Sequence, residues 1–79
     1  MYYVLTEWDG KGSGEKVFTT TFKKDALAKR KRIFTPDQAE SAWGYNYFNT
    51  GDVPCSIINT YKNKKAIKED EPIKTENWY

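Results

Sequence analysis

Phe22-Lys23-Lys24-Asp25-Ala26-Leu27-Ala28-Lys29-Arg30-Lys31-Arg32-Ile33-Phe34 holds six of the chain's thirteen basic residues against one acid. It is also the strongest helical pattern in the sequence. Projected at about 100° per residue, Ala26, Leu27, Ile33 and Phe34 share one side, the spacing of a helix laid on a sheet. Arg30 falls close to the centre of that apolar stripe. A guanidinium there must snorkel along its stem, pair with a carboxylate such as Glu7 or Glu40, or lie where the helix overhangs a sheet edge. The alternative is an Arg that grips a ligand. The opposite side presents Lys24, Lys31 and Arg32, with Lys29 on its flank and Asp25 at its edge. These charges have structural uses, since Asp25 and Lys29 form an i,i+4 pair and late cations suit the helix dipole. They are equally a candidate recognition face.

Outward from this stretch, residues 2–8 and 16–22 are rich in β-branched and aromatic side chains, and a glycine-rich loop, Asp9 to Gly14, separates them. The pattern predicts a β-hairpin. Tyr2, Val4 and Trp8 share one face of the first strand and Tyr3 and Leu5 the other, so both faces are apolar and a central strand or a partner-facing one is expected. On the second strand Val17, Thr19 and Thr21 form the side expected to be exposed. The loop fails as a calcium site, because Lys11 and Thr20 occupy the third and twelfth ligand positions. Its glycines match neither G-x-G-x-x-G nor the Walker pattern, and a strand follows rather than a phosphate-holding helix.

Beyond the basic stretch, Thr35-Pro36-Asp37-Gln38 supplies an N-cap, a proline at the first helical position and a capping-box Gln, which predicts a second helix from Pro36 to about Trp43. Gly44 is its candidate C-terminal cap, or the helix runs on toward Phe48. Residues 43–48 carry four aromatics in six positions. Trp43 is expected in the core, and Tyr45 and Tyr47 are candidates for either core or surface. A turn-rich connector leads to a third strand over residues 55–62, and a turn at 62–65 into residues 66–68 predicts a second hairpin. Glu69-Asp70-Glu71-Pro72 ends regular structure, as a solvated turn. Residues 73–79 form either an edge strand or a mobile tail. The expected fold is a single α+β domain over residues 1–79, two layers in the order β-β-α-α-β-β, with a mostly antiparallel sheet against the basic helix.

Composition narrows the chemistry. Histidine is absent and cysteine occurs once, at Cys55, which removes His-based triads, Cys-His dyads, most zinc sites and any internal disulfide. Cys55 is expected as a small buried hydrophobe. No spacing pairs two carboxylates for catalysis, and no motif implies a cofactor or metal. The start has no signal-peptide pattern and no apolar run reaches membrane-spanning length, so a cytoplasmic setting is expected. The net charge is +2, divided as +4 over residues 1–34 and −2 over residues 35–79, which argues for a localised positive face. Thirteen aromatics outnumber ten Ile, Leu and Val residues, more than so small a core is expected to hide.

Three functional expectations follow. The leading one is a non-enzymatic module that binds a larger protein and regulates or inhibits it. A phage or mobile-element inhibitor of a nucleic-acid-handling machine is one form this would take. Its candidate partner-binding residues are Lys24, Lys29, Lys31, Arg32, Tyr45, Tyr47 and Trp78. The alternative is a nucleic-acid-binding module in which the same cations meet phosphates and Tyr45, Tyr47 or Trp78 stack on bases. An enzyme ranks third, for want of site residues.

Overall fold

The computed structural model describes residues 1–44 and 53–79, and the backbone alone of Trp43. Four antiparallel strands form one sheet in the order β2-β1-β3-β4, with β1 at Tyr2–Trp8, β2 at Glu15–Thr20, β3 at Cys55–Tyr61 and β4 at Lys74–Trp78. Three helices accompany it: α1 at Lys23–Lys29, α2 at Pro36–Trp43 and α3 at Lys64–Glu69. None of the described helices is long and apolar enough to cross a membrane.

The two apolar faces of β1 are explained by its central position. On one face Leu5 lies between Phe18 and Ile58, Tyr3 between Thr20 and Thr60, and Glu7 opposite Ser56. Helix α1 covers this face through Ala26, so that Leu5, Ile58 and Ala26 make the fully buried core, flanked by Tyr3, Phe18, Leu27 and Trp78. Complete burial of a side chain such as Leu5 or Ile58 stabilises by about 1.5–3 kcal/mol. On the other face Val4, Cys55 and Tyr61 are buried, and the Tyr61 hydroxyl donates to Asp70 Oδ1 at 2.9 Å. The Thr-rich side of β2 is exposed as its composition predicts, and the register skips between Leu5 and Thr6, leaving Val17 without a partner on β1. Such a bulge blunts an open sheet edge.

Helix α2 follows its local sequence closely. Gln38 N–H donates to the Thr35 hydroxyl, the Gln38 side chain accepts from Thr35 N–H, and Gly44 closes the helix at φ 82° with its N–H on the Glu40 carbonyl. Residues 73–79 resolve to the edge-strand alternative as β4, and Tyr79 N–H donates to the Phe34 carbonyl at 2.7 Å.

Two expectations are corrected. The second hairpin is replaced by α3, giving the order β-β-α-α-β-α-β. Asn63 caps α3 by accepting from Ala66 N–H at 2.8 Å, and Asp70 ends it in the left-handed region at φ 53°. Lys64, Lys65, Ala66, Lys68 and Glu69 are good helix formers, and this local preference outweighs the β tendency of Ile67. The basic helix also ends early. Arg30 is extended at φ −66°, ψ 143°, so residues 30–34 form a strap leading away from α1, not its last turns.

Candidate functional site

The strap leaves the helix because the sheet offers its amides better partners. Ser56, fully buried on β3, accepts from Lys31 N–H at 3.1 Å and Arg32 N–H at 3.0 Å, and its hydroxyl proton goes to Glu7 Oε1 at 2.6 Å. Glu7 Oε2 accepts from the same Lys31 N–H at 2.9 Å. With one proton donated and two accepted, the hydroxyl is used to capacity. Continuing α1 through Lys31 and Arg32 would forfeit this node. The early helix end also changes the helical projection: Lys31 and Arg32 are exposed residues of an extended segment, not members of a helix face.

Each cation of the basic stretch has its own surroundings. Lys23 pairs with Glu76 of β4 at 2.7 Å, and Lys74 reaches the same carboxylate oxygen at 3.9 Å. Lys29 lies 4.6 Å above the Phe18 ring on the β2 side. Arg30 is half-buried, with its guanidinium 4.4 Å over the Trp78 ring and a hydrogen bond donated to the Leu27 carbonyl. This is the packed-stem arrangement at a sheet edge, and Glu7 is engaged by the strap instead. Arg30 Nε and Trp78 Nε1 are buried without hydrogen-bond partners among the described residues, so the pair is held by stacking rather than by its N–H groups. Lys24 is exposed on the outer side of α1. Among the described residues no carboxylate oxygen comes within 4.0 Å of the side-chain nitrogens of Lys24, Lys29, Lys31 or Arg32.

The predicted anchors thus divide. Lys24 and Lys29 remain on the outer surface of α1. Lys31 and Arg32 line a cleft of about 340 Å³ with Lys11, Trp8, Glu7, Asp9 and Glu15, where three cations meet three carboxylates. Trp78 is half-buried, with one face taken by Arg30. Tyr45 and Tyr47 lie outside the described residues, as does the Trp43 side chain.

Five large apolar side chains are exposed among the described residues, Met1, Val17, Phe22, Ile33 and Ile73, and two of them lie in the basic stretch. Phe22, at the N-terminus of α1, and Ile33, in the strap, are each 61% exposed. The periodicity that placed Ile33 on the buried stripe assumed a helix that stops four residues before it. The signal available was Arg30 itself: a charge at the centre of an apolar stripe also marks a helix that does not continue. Lys64, Lys65 and Lys68, expected in a turn and strand, lie on α3, and Lys65 pairs with Glu69 at 3.8 Å.

Cys55 is buried, and its thiol is held above its ordinary pKa first by desolvation and then by the charge of Glu7, with Arg32 opposing. That is the inert condition of a buried thiol, not the activated one. Among the described residues no group of three His, Cys, Asp or Glu side chains is placed to hold a metal ion. Comparison with protein-family models, with curated proteins and with solved structures finds no match to this chain.

Proposed function

We propose that this protein is a small non-enzymatic module that binds a larger protein and regulates or inhibits it, acting in the cytoplasm. The observation that carries this reading is the exposure of Phe22 and Ile33 beside cations that lack a carboxylate partner among the described residues. A large apolar side chain held in water gains by burial in a partner, roughly 25 cal/mol for each Å² covered. Cations flanking it steer the encounter and fix its register. A host machine that handles nucleic acid is one form this target would take.

The test is affinity capture from native lysate of the source cells, with and without nuclease, using the wild-type chain and a Phe22→Ser/Ile33→Ser variant. The proposal expects a specific protein retained under nuclease by the wild type and lost by the variant. Retention that disappears on nuclease treatment would transfer the reading to nucleic-acid binding.

A further inference from the structure

We infer that the outer surface of α1, formed by Phe22, Lys24, Ala28 and Lys29, docks an acidic segment of the partner protein that carries an apolar residue for Phe22. This rests on the protein-binding reading above and names the chemistry of what is bound.

The charge inventory decides between an acidic peptide and a nucleic acid. Of the six cations between residues 22 and 34, Lys23 is committed to Glu76 at 2.7 Å, and Arg30 is half-buried against the Trp78 ring with a hydrogen bond to the Leu27 carbonyl, whereas Lys29 is exposed over Phe18. Lys31 and Arg32 share their cleft with Glu7, Asp9 and Glu15, whose carboxylates would repel a phosphate chain. Lys24 and Lys29 remain, with the half-exposed Asp25 of the same helix close by. Two cations next to an acid give a polyanion little hold, since duplex binders typically neutralise about 6–10 phosphates. They suffice to register two carboxylates of a short segment.

The apolar member points the same way. Phe22 is exposed directly at the start of the helix, and Ala28, also exposed, leaves the outer face flat enough for close approach. Lys29 is pre-positioned over the Phe18 ring at 4.6 Å, so less side-chain freedom is lost when it meets a carboxylate. Lys24, two residues after Phe22, is exposed on the same helix. The surface therefore offers one ring and two separated cations along roughly two helical turns, about 10 Å.

The experiment is an NMR titration of the ¹⁵N-labelled full chain with two short peptides and an oligothymidylate of equal formal charge. One peptide combines Glu, Asp and Leu; the other replaces each acid by its amide. The acidic peptide is expected to shift the amides of Phe22, Lys24, Ala28 and Lys29. It should bind at least about tenfold more tightly than the amide peptide or the oligothymidylate. Lys24→Glu/Lys29→Glu should lose that preference, and Phe22→Ser should weaken the acidic peptide while keeping the native amide dispersion. No shift in this region, or tighter binding of the oligothymidylate at the same salt, overturns the inference. If a captured partner is retained by Phe22→Ser/Lys24→Glu, the docking surface is elsewhere and the protein-binding reading stands. If the wild-type chain captures no protein, that reading itself fails.

Discussion

Replacing Ser56 by Ala tests the node that terminates α1. The substitution removes one oxygen and creates almost no cavity, so its effect reports hydrogen bonding. Arg32 N–H loses its acceptor at 3.0 Å, Lys31 N–H keeps only Glu7 Oε2 at 2.9 Å, and Glu7 Oε1 loses its donor at 2.6 Å. An orphaned buried donor costs about 1–3 kcal/mol and a lost hydrogen bond to a charged group about 1.5–3 kcal/mol. Lys31 and Arg32 are exposed and Glu7 is half-exposed, so water can replace part of both terms and the expected loss is about 1–3 kcal/mol. A core of this size supplies only about 3–5 kcal/mol, so Ser56→Ala should leave a marginal domain. Its melting temperature should fall by roughly 4–8 °C for each kcal/mol lost. Urea titration followed by tryptophan fluorescence measures the loss, and hydrogen exchange locates it: the amides of Lys31 and Arg32 should lose protection first. Thr75→Ala is the control, removing the exposed hydrogen bond from Thr75 to Asn59 at 2.7 Å. A Ser56→Ala loss below about 0.5 kcal/mol, no larger than an ordinary surface substitution, would refute the argument that the node holds the strap.

Arg30→Met keeps a stem over Trp78 but removes the cation, and should cost about 0.5–2 kcal/mol in urea titration. An unchanged stability together with loss of partner capture would place Arg30 on the binding side instead. Gly14 and Gly12 both have positive φ, at 66° and 69°, but a Cβ on Gly14 would lie 3.1 Å from Thr6 Cγ2 and 3.3 Å from the Glu7 carbonyl oxygen, whereas Gly12 faces open space. Gly12→Ala should therefore show only the left-handed backbone cost of about 1–2 kcal/mol, and Gly14→Ala distinctly more, by thermal melts in parallel. Alkaline pH should destabilise the fold. Burial holds the Cys55 thiol above its ordinary 9.0, and burial together with the hydrogen bond to Asp70 holds Tyr61 above 10.0, so both stay protonated in the native state after the unfolded chain has begun to release those protons. The unfolded state then binds fewer protons, and stability falls as pH rises past about 9. Cys55→Ala and Tyr61→Phe should each flatten that decline in chemical denaturation across the alkaline range.

What the sequence disclosed depended on how far each instruction reached. Helix α2 is legible because Thr35, Pro36, Gln38 and Gly44 carry all its signals within ten positions, and the centrality of β1 is legible because both its faces are apolar. The end of α1 is only hinted at, by Arg30 at the centre of the apolar stripe, since no Gly or Pro lies between Leu27 and Ile33; the decision is taken by Ser56 and Glu7, each more than twenty residues away. Helix α3 is hidden for the opposite reason: Asn63 is an adequate local cap, but residues 66–68 after the turn at 62–65 also fit the second strand of a hairpin. For the candidate site, the cations of residues 22–34 were identifiable, whereas their division into free and engaged needed Glu76, Trp78 and Phe18, all contributed by other strands.

The pairing of β1 with β3 also sets the tempo of folding. Trp8 meets Cys55 and Glu7 meets Ser56, so the two inner strands join across more than forty residues of chain. Contacts of such sequence separation raise the contact order, and domains rich in them fold in milliseconds to seconds rather than microseconds. During synthesis β1 must wait for β3 to emerge. At roughly 5–20 residues per second the N-terminal hairpin spends some seconds with one edge of β1 unpaired, the interval in which a passing strand would do most harm.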